Sequence, residues 1–403
     1  MRYKDANEML MEGVGWLLLA CLEADATEVL RPDHLKDIFD FEEEIWAKFH
    51  PADDAALGLR LPWGNSCGSS LPFRFRHGEV TVWTGYNKHG KSEVLNHCTI
   101  DLCWQGEKAL VCSLEIQAPE TYRKLIRMAM GRRDVCALED REQFRARCLV
   151  PLGKRVWVYD HVGTAQLEDV FNVMLYSYQR YGVRQFVLDS FMRFDGLDGE
   201  GQDIWNRQKG FMDKLSTFAA KYGVHVHLVA HSKKPSKGGE ATIPRRYDVM
   251  GSAYISNVPN NVIVIWRNRA KQDALEEIFQ RCEEMFRRSR PTAKMPPWRR
   301  LMGGPPPEDR LDLKVIWNTM IGVVEQLPPD EKARFYELVE EHDAYFIVDA
   351  QRGGDGDCPA RHLWFHVDSL QFLEASAYKV KDERARPRAY AGEPVPSEDG
   401  EVL

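Results

Sequence analysis

The stretch from Gly85 to Ser92, "GYNKHGKS", has the residue types and the spacing that bind a phosphate. It fits the pattern G-x-x-x-x-G-K-[ST], follows a short apolar run and precedes a helix-like segment. Glycines let the backbone wrap a phosphate, with successive N–H groups pointing inward. We predict that Lys91 reaches the β and γ phosphates and that Ser92 binds Mg²⁺; a chance glycine-rich turn is the alternative. The predicted nucleotide contacts in this stretch are Gly85, Asn87, Gly90, Lys91, Ser92 and Glu93.

Two acidic residues follow other strand-like runs and suit the same chemistry. Asp189 ends "QFVLD", where a carboxylate can hold a metal-bound water beside Ser92. Glu115 follows "ALVCSL", and a carboxylate there can orient and deprotonate the attacking water. The alternatives are that Asp189 caps the next helix and that Glu115 is an ordinary surface residue.

A basic stretch follows the run "VHVHLVA". We call residues 232–246 the basic segment, because five positive charges against Glu240 give it a local charge of +4. Such a segment can track a single-stranded DNA backbone without reading its sequence, although its charge alone is more typical of a solvated loop, and it is its place directly after the motif "VAHSKKP" that favours DNA contact. "RFDGLDGEGQDIWNRQKG", with an acidic first half, is a weaker second candidate. The predicted DNA contacts are Lys233, Lys234, Lys237, Arg245 and Arg246.

Short apolar runs must position these residues. From about residue 72, runs such as "EVTVWTG", "KALVCSLE" and "NVIVIWRN" alternate with helical segments. That alternation predicts an α/β fold with a mainly parallel, buried central sheet. No internal repeat is evident.

The sequence predicts three regions. Residues 1–60 are rich in helix formers and include an amphipathic segment around 34–49. Residues 61–380 form the α/β domain, interrupted by a long insertion at about 270–342, with helix-like pieces around a basic, Pro/Gly-rich centre. Residues 381–403 are predicted to be a flexible polar tail.

Composition excludes several classes of protein. The chain has 403 residues, 44% hydrophobic and 29% charged, and a net charge of −7. Its apolar runs are too short to cross a bilayer and its N-terminus does not resemble a signal peptide. The nine cysteines include no CxxC pair, which disfavours a disulfide framework or a zinc ribbon. We therefore expect a cytoplasmic protein without a membrane partner, in a bacterium or a phage-infected host.

Six motifs in order resemble one family. They are "GYNKHGKS", "CSLEI", "FVLDS", "VAHSKKP", "GSAYISNVPNNVIVIWRN" and "VDAQRGGDGD" with "HLWFHVDSLQF". Together they resemble the RecA-like helicase half of the phage primase–helicases, mitochondrial Twinkle and, more distantly, the bacterial replicative hexameric helicases of superfamily 4. The resemblance covers residues 60–268 and 344–375.

The resemblance implies roles for further residues. His231 resembles the polar sensor of the γ-phosphate, and Arg352 resembles the arginine finger given to a neighbouring subunit's nucleotide. Arg267 and Phe365 stand where the family sandwiches the base; a surface arginine and a core aromatic are the alternatives. The implied cofactors are ATP, or dTTP, and Mg²⁺. The catalytic group is therefore Lys91, Glu115, His231 and Arg352.

The resemblance also implies partners. It predicts a ring of six subunits, with seven the alternative, on single-stranded DNA at a replication fork. The segment around 34–49 resembles the helix that packs on the next subunit, although packing on its own domain is equally consistent. No zinc-binding cysteines or primase metal-site residues precede "KDANEML" at 4–10, which resembles the junction after a primase fold, so we expect a helicase half whose primase lies on a separate gene or whose gene is truncated. The acidic end, from Glu393 to Glu401, resembles the tail that docks a polymerase in phage relatives, and a tail that only aids solubility is the alternative.

Three functions remain open at this point. The leading one is an ATP-driven replicative DNA helicase. A RecA-like recombination or repair ATPase that forms filaments is the second. A nucleotide-gated single-strand-binding protein with weak motor activity is the third, because Ala350 stands where the family often has a lysine.

Overall fold

The structure, a computed structural model, describes residues 36–53, 55–63, 73–132, 140–197, 201–233, 241–289, 321–354, 358–376 and 383–392. The chain divides into two units, residues 1–57 and residues 58–403, and each is described by itself. Residues 1–35, which include "KDANEML", lie outside the described residues, as do the basic centre of the predicted insertion and the acidic end from residue 393 onward.

The described part of the first unit is a short helical segment. A 3₁₀ turn at Ile38–Phe41 begins at Asp37, whose side chain accepts a hydrogen bond from the backbone of Phe39. Helix α1 follows at Glu42–Phe49, with acidic residues in its first turn, which favours a helix N-terminus. Phe39 is 78% exposed and Trp46 is 61% exposed. The segment therefore presents large apolar side chains at its surface.

A single sheet carries the second unit. Its strands in the described residues are β1 (Val80–Thr84), β2 (Ala109–Ser113), β3 (Val156–Val158), β4 (Gln185–Asp189), β5 (His225–Val229), β6 (Asn261–Arg267), β7 (Ala344–Gln351), β8 (Arg361–His366) and β9 (Gln371–Leu373). Their order is β3-β2-β4-β5-β1-β6-β7-β8-β9. The six strands from β3 to β6 in that order are parallel, and β7, β8 and β9 continue the sheet in antiparallel pairs. The predicted α/β fold with a mainly parallel sheet is confirmed.

Helices cover both faces of this sheet. Side chains alternate between the faces, so Trp83 and Ile263 lie in one core while Val82 and Leu228 lie in the other. The second-unit helices are α2 (Lys91–Trp104), α3 (Ala118–Met130), α4 (Arg141–Phe144), α5 (Leu167–Tyr181), α6 (Gln202–Tyr222), α7 (Tyr254–Asn257), α8 (Arg269–Ser289) and α9 (Pro329–Glu340). Helices α2 and α3 pack on the first face, and α5 and α6 on the second. None of the described helices is both long enough and apolar enough to cross a membrane.

The described parts of the predicted insertion are helical. Helix α8 directly follows β6, residues 321–324 are helical, and α9 leads into β7. These pieces share a separate hydrophobic core, in which Phe279 and Phe335 pack edge to face with their ring centroids 6.2 Å apart. We call α8, residues 321–324 and α9 the helical hairpin; these described parts of the insertion form their own core between two neighbouring strands of the sheet.

Residues 383–392 differ from the flexible tail predicted over 381–403, because they lie against the first core. Tyr390 is 3% exposed, and its hydroxyl donates a hydrogen bond to Asp101 Oδ1 at 3.0 Å. Arg388 Nη1 lies 3.1 Å from the same oxygen. Burial raises the pKa of Asp101, and Arg388 opposes that shift. The hydrogen bonds of a buried carboxylate thus fix a stretch whose composition alone is that of a tail.

We expect Tyr390→Ala to lower the free energy of unfolding by about 3–5 kcal/mol, because it removes a buried ring and a hydrogen bond to a buried carboxylate. Urea unfolding followed by circular dichroism measures this change. The control is Tyr176→Ala, a change at a tyrosine that is 57% exposed, which should cost less than about 1 kcal/mol. Equal losses for the two variants would contradict the anchoring role of Tyr390.

Candidate nucleotide-binding site

The loop between β1 and α2 requires glycine at two positions. Gly85 has a φ of 146°, and a Cβ atom there would lie 2.1 Å from the carbonyl oxygen of Ile265 on β6. Gly90, the residue before α2, has a φ of 84°. L side chains rarely adopt these values. The loop therefore lies against the end of β6 and turns sharply into α2, whose N-terminus favours an anion.

Lys91 is the first residue of α2 and lies inside the loop. Its Nζ donates hydrogen bonds to the carbonyl oxygens of Gly85 at 3.0 Å and Tyr86 at 2.9 Å. Burial lowers the pKa of Lys91 to about 8, against the raising effect of Asp189 and Glu115. The ammonium group is therefore charged at neutral pH and is held where a bound phosphate would meet it.

Ser92 and Asp189 lie side by side. Asp189 ends β4, which is separated from β1 by β5 alone, and the side chain of Ser92 hydrogen-bonds to it. Burial raises the pKa of Asp189 to about 6, and the Ser92 hydrogen bond opposes that rise. A small cavity beside the pair is lined by Asn96, Ser113 and Lys124, among others. Lys124 also pairs with the predicted contact Glu93 at 3.1 Å.

This pair fits Mg²⁺, which prefers oxygen ligands and takes only one or two of them from carboxylates. The described residues hold no cluster of three or more His, Cys, Asp or Glu side chains that could bind a metal ion by themselves. The hydroxyl of Ser92 and the carboxylate of Asp189 would hold the ion together with phosphate and water oxygens.

Glu115 follows β2 at the same edge of the sheet. Its Oε1 accepts a hydrogen bond from Ser190 Oγ at 3.0 Å and lies 3.5 Å from Arg193 Nε. The side chain is exposed, so a substrate and water can reach it. The sequence analysis did not predict Arg193 as a partner of Glu115, although its position four residues after Asp189 places it near the same end of the sheet. The carboxylate is thus held by two residues of the chain that follows β4.

His231 lies two residues beyond β5, between the site and the basic segment. Its carbonyl oxygen accepts a hydrogen bond from the backbone of Met250 at 2.7 Å. Its buried Nδ1 has no hydrogen-bond partner among the described residues. Burial lowers the pKa of His231, and the nearby charge of Lys91 lowers it further. Both effects favour the neutral form of the imidazole.

The predicted base contacts lie beside the loop. The backbone N–H of Arg267 donates to His89 Nδ1 at 3.0 Å, so the end of β6 is tied to the loop. Phe365, on β8, packs against Phe372 with ring centroids 5.0 Å apart. A Cβ at Gly90 would lie 3.5 Å from Phe372, which places both rings near the start of α2. The structure thus brings Arg267 and Phe365 to the side of the loop formed by β6, β8 and β9.

An ion pair between a buried lysine and a partly exposed aspartate joins this side to the helical hairpin. Lys271 Nζ on α8 lies 2.6 Å from Asp343 Oδ1, and Asp343 Oδ2 accepts the backbone N–H of Phe365 at 2.8 Å. Arg269 donates to the carbonyl oxygen of Asn87 at 3.3 Å. No local pattern in the sequence predicts these three links, since each joins residues more than 20 positions apart. The hairpin therefore contacts the loop through Arg269, and Lys271 binds the aspartate that accepts the backbone N–H of Phe365.

Arg352 lies at the opposite edge of the sheet from the loop. Strand β7 runs antiparallel to β6 and pairs Gln351 with Asn261, at the start of β6. The backbone N–H of Arg352 donates to the carbonyl oxygen of Asn260 at 2.9 Å. Five residues separate Asn260 from Ile265, which touches the loop, a distance of about 17 Å along a strand. Arg352 and the loop of one chain are therefore too far apart to share a phosphate.

The basic segment leaves β5 beside the loop, and its later part is held by β7. Lys234 and Lys237 lie outside the described residues. Lys233 is exposed. Arg245 Nη1 lies 3.0 Å from Asp349 Oδ1, and the backbone N–H of Arg246 donates to Asp349 Oδ2 at 2.7 Å. Asp349 on β7 thus pairs with the guanidinium of Arg245 and with the backbone of Arg246, a link that the sequence did not predict.

Comparisons with known proteins agree with this geometry. The sequence profile described as an AAA domain matches residues 71–237. A protein described as "Twinkle homolog protein, chloroplastic/mitochondrial" from Arabidopsis thaliana is 28% identical over 291 residues, which is 66% of this chain. The chain spans 38% of the length of that curated relative.

Two solved structures show the same fold. One, described as an ATPase domain, gives a TM-score of 0.55 at 11% identity and covers 84% of this chain and 98% of its own. The other, of a DnaB-like replicative helicase and its interactions with primase, gives 0.55 at 11% identity and covers 91% and 74%. The resemblance inferred from the six motifs and the RecA-like fold are both confirmed, and the matches support an NTP-hydrolysing enzyme.

We expect magnesium-dependent nucleotide binding to be strongest between pH of about 6 and about 8. Below that range Asp189, whose pKa is raised to about 6, gains a proton and loses the charge that holds the ion. Above it Lys91, whose pKa is lowered to about 8, loses the charge that meets the phosphate. Titration of a fluorescent nucleotide from pH 5 to 9 measures both limbs.

The variant Asp189→Asn should abolish the acidic limb and weaken binding at pH 7. The exposed Asp169 offers the matched control, because Asp169→Asn should leave both limbs in place. An acidic limb that persists in Asp189→Asn would assign it to another group.

Proposed function

We propose that the chain is an NTPase of the superfamily 4 helicase type and that it works as a ring-forming, ATP-driven translocase. It moves on single-stranded DNA and unwinds duplex DNA at a replication fork. ATP is the substrate, with dTTP the alternative, and hydrolysis takes place between subunits.

The position of Arg352 carries this proposal. The loop, Ser92, Asp189 and Glu115 meet at one edge of the sheet, whereas Arg352 lies at the other edge. A finger residue stabilises charge that develops on the transferred phosphoryl group, so it must reach the γ-phosphate. Arg352 can do so only at the nucleotide of a second copy of the chain. Head-to-tail repetition of that contact closes into a ring when the rotation between copies permits it.

The chain's own residues then have separable roles in hydrolysis. Lys91 holds the β and γ phosphates, while Ser92 and Asp189 hold Mg²⁺, which supplies charge that neutralises the phosphates. Glu115 orients the attacking water and accepts its proton. Ser190 and Arg193 fix the position of that carboxylate. His231, neutral and facing the site, responds to the γ-phosphate.

The nucleotide base of ATP is held beside the loop, on the side where β6 and β8 lie. Phe365 offers an aromatic face and Arg267 a planar guanidinium, and both can stack on a base. Asp343 positions Phe365 through its backbone N–H.

The basic segment contacts the DNA. Lys233, Lys234, Lys237, Arg245 and Arg246 supply charge for a phosphate backbone, which binds without regard to sequence. The basic segment begins directly after His231. A displacement of His231 on binding or loss of the γ-phosphate therefore acts on the segment without any intervening residue.

The first unit joins neighbouring subunits. The segment from Ile38 to Phe49 exposes Phe39, Trp46 and Phe49. Exposed apolar side chains gathered on one short segment are typical of an interface. We propose that this segment packs on the next copy of the chain in the ring.

The finer assignments follow from the same proposal. The ring has six subunits, with seven the alternative, and works in the cytoplasm of a bacterium or a phage-infected host. A separate primase and a replicative polymerase are the proposed partners. One of the similar structures is described as that of a DnaB-like replicative helicase and its interactions with primase, which supports the first of these partners.

We expect single-stranded DNA to stimulate ATP hydrolysis by the purified chain at least about tenfold at low salt, because hydrolysis drives movement along the strand. A phosphate-release assay with and without DNA measures this ratio. Lys91→Ala should abolish turnover, since it removes the ammonium group that holds the phosphates. The matched control is Lys221→Ala, at an exposed lysine in the last turn of α6 and outside both candidate DNA segments.

Other outcomes distinguish the remaining functions. ATP-dependent DNA binding with turnover that ignores DNA would indicate a nucleotide-gated binding protein. Stimulated turnover with filaments instead of rings in electron micrographs would indicate a recombination ATPase. Turnover that survives in Lys91→Ala would remove the nucleotide site from this loop.

We expect Arg352→Ala to spare ATP binding and to slow hydrolysis by about 10³-fold or more, as loss of an arginine finger does. Mixing it with Glu115→Gln chains should restore part of the turnover. In such mixtures some interfaces combine an intact Glu115 from one copy with an intact Arg352 from the other.

Each variant measured alone gives the turnover without rescue. A second baseline is a mixture of Arg352→Ala chains with chains that carry both Lys91→Ala and Arg352→Ala, because no chain in that mixture keeps Arg352. Arg334→Ala, at an exposed arginine of α9, is the matched control and should keep full activity. Absence of rescue in the first mixture would argue against a finger that acts between copies.

A further inference from the structure

The basic segment is attached to the nucleotide loop on both sides of its residues 234–240. Before them, the backbone N–H of Ser232 donates to the carbonyl oxygen of Gly85 at 3.1 Å, and the hydroxyls of Ser232 and Thr84 lie 2.9 Å apart. After them, the Tyr86 hydroxyl donates to the carbonyl oxygen of Thr242 at 3.0 Å. Two successive loop residues, Gly85 and Tyr86, therefore hold the two flanks of the segment.

The same two residues contact the phosphate-binding lysine. Lys91 Nζ donates to the carbonyl oxygens of both Gly85 and Tyr86. A phosphate that draws the ammonium group toward itself weakens these two hydrogen bonds and frees the two peptide units to shift. Any such shift acts on Ser232 through the first peptide unit and on Thr242 through the tyrosine side chain.

The side chain of Tyr86 is aimed at the segment, not at the phosphates. It is 5% exposed, and its ring packs edge to face on His89 with the centroids 5.3 Å apart. The phosphate-binding pattern leaves this position free, since it fixes only the glycines, the lysine and the hydroxyl residue. A tyrosine here therefore serves a contact other than phosphate binding, and its hydroxyl reaches the carbonyl oxygen of Thr242.

We propose that Tyr86 is a positioning residue that couples nucleotide binding to DNA binding through its hydrogen bond to Thr242. The inference rests on the proposed function, because it takes the basic segment as the DNA contact. With the hydroxyl in place, a change of the loop moves the second flank of the segment together with the first. Without it, only the flank at Ser232 follows the loop.

The test measures a coupling factor, the ratio of the dissociation constants for a fluorescent oligo(dT) without and with a non-hydrolysable ATP analogue. Tyr86→Phe removes the hydroxyl and keeps the ring on His89. We expect the coupling factor to fall about fivefold, the scale of one neutral hydrogen bond. The effect of oligo(dT) on affinity for the analogue must fall by the same factor, because coupling is reciprocal.

Tyr122→Phe is the matched control. It removes a tyrosine hydroxyl that also donates to a backbone carbonyl, that of Val156 at 3.3 Å, away from the loop and the segment. Its coupling factor should equal that of the unmodified chain. A ratio is used because a variant that merely loosens the loop weakens nucleotide binding equally with and without DNA.

The outcomes separate the inference from the proposed function. A coupling factor in Tyr86→Phe within twofold of the unmodified chain would overturn the role of Tyr86 and leave the translocase proposal standing. An equal loss in Tyr122→Phe would also overturn it, since the effect would then be general. If the unmodified chain binds oligo(dT) with no dependence on the analogue, or does not bind it, the proposed function fails and the coupling role fails with it.

Discussion

The parallel alignment of β1, β2, β4 and β5 is the constraint on which the rest of the structure depends. Because parallel strands end at the same edge, residues that follow them converge although they are far apart in the sequence. Lys91, Glu115, Asp189 and His231 span more than 100 positions, and yet charges within this group contribute to the pKa shifts of Lys91, Asp189 and His231. The buried strands consist mainly of apolar side chains. The residues that follow their carboxyl ends are therefore free to be polar and to bind a ligand.

Burial then sets the electrostatic character of that edge. It moves the pKa of Lys91 down to about 8 and that of Asp189 up to about 6, which brings the two values toward each other and toward neutrality. Both groups are more costly to charge here than in water, and each is stabilised in part by the other. A triphosphate with its metal ion supplies both missing counter-charges at once. The site is thus matched electrostatically to a ligand that carries both signs.

The antiparallel extension gives the molecule its second edge. Strand β7 turns the chain back, so Arg352 lies far from its own loop while Asp349, three residues earlier, holds Arg245 and Arg246. One strand therefore carries the proposed finger for a neighbouring nucleotide and fastens the basic segment of its own chain. The helical hairpin directly precedes β7 in the sequence, and the ion pair between Lys271 and Asp343 joins it to the start of that strand.

The sequence by itself determined the fold class and the phosphate-binding loop. It also indicated Asp189 as the candidate metal ligand and Glu115 as the candidate general base. These predictions were possible because strand periodicity and glycine spacing are local properties of the chain. It did not reveal Arg193 beside Glu115, Asp343 behind Phe365, or the packing of Tyr390 in a stretch that reads as a tail. Only the tertiary structure decided these, and it alone placed Arg352 beyond the reach of its own nucleotide. The physical reason is that hydrogen bonds between distant residues, and the direction in which a strand pairs, depend on how the whole sheet closes around its two cores.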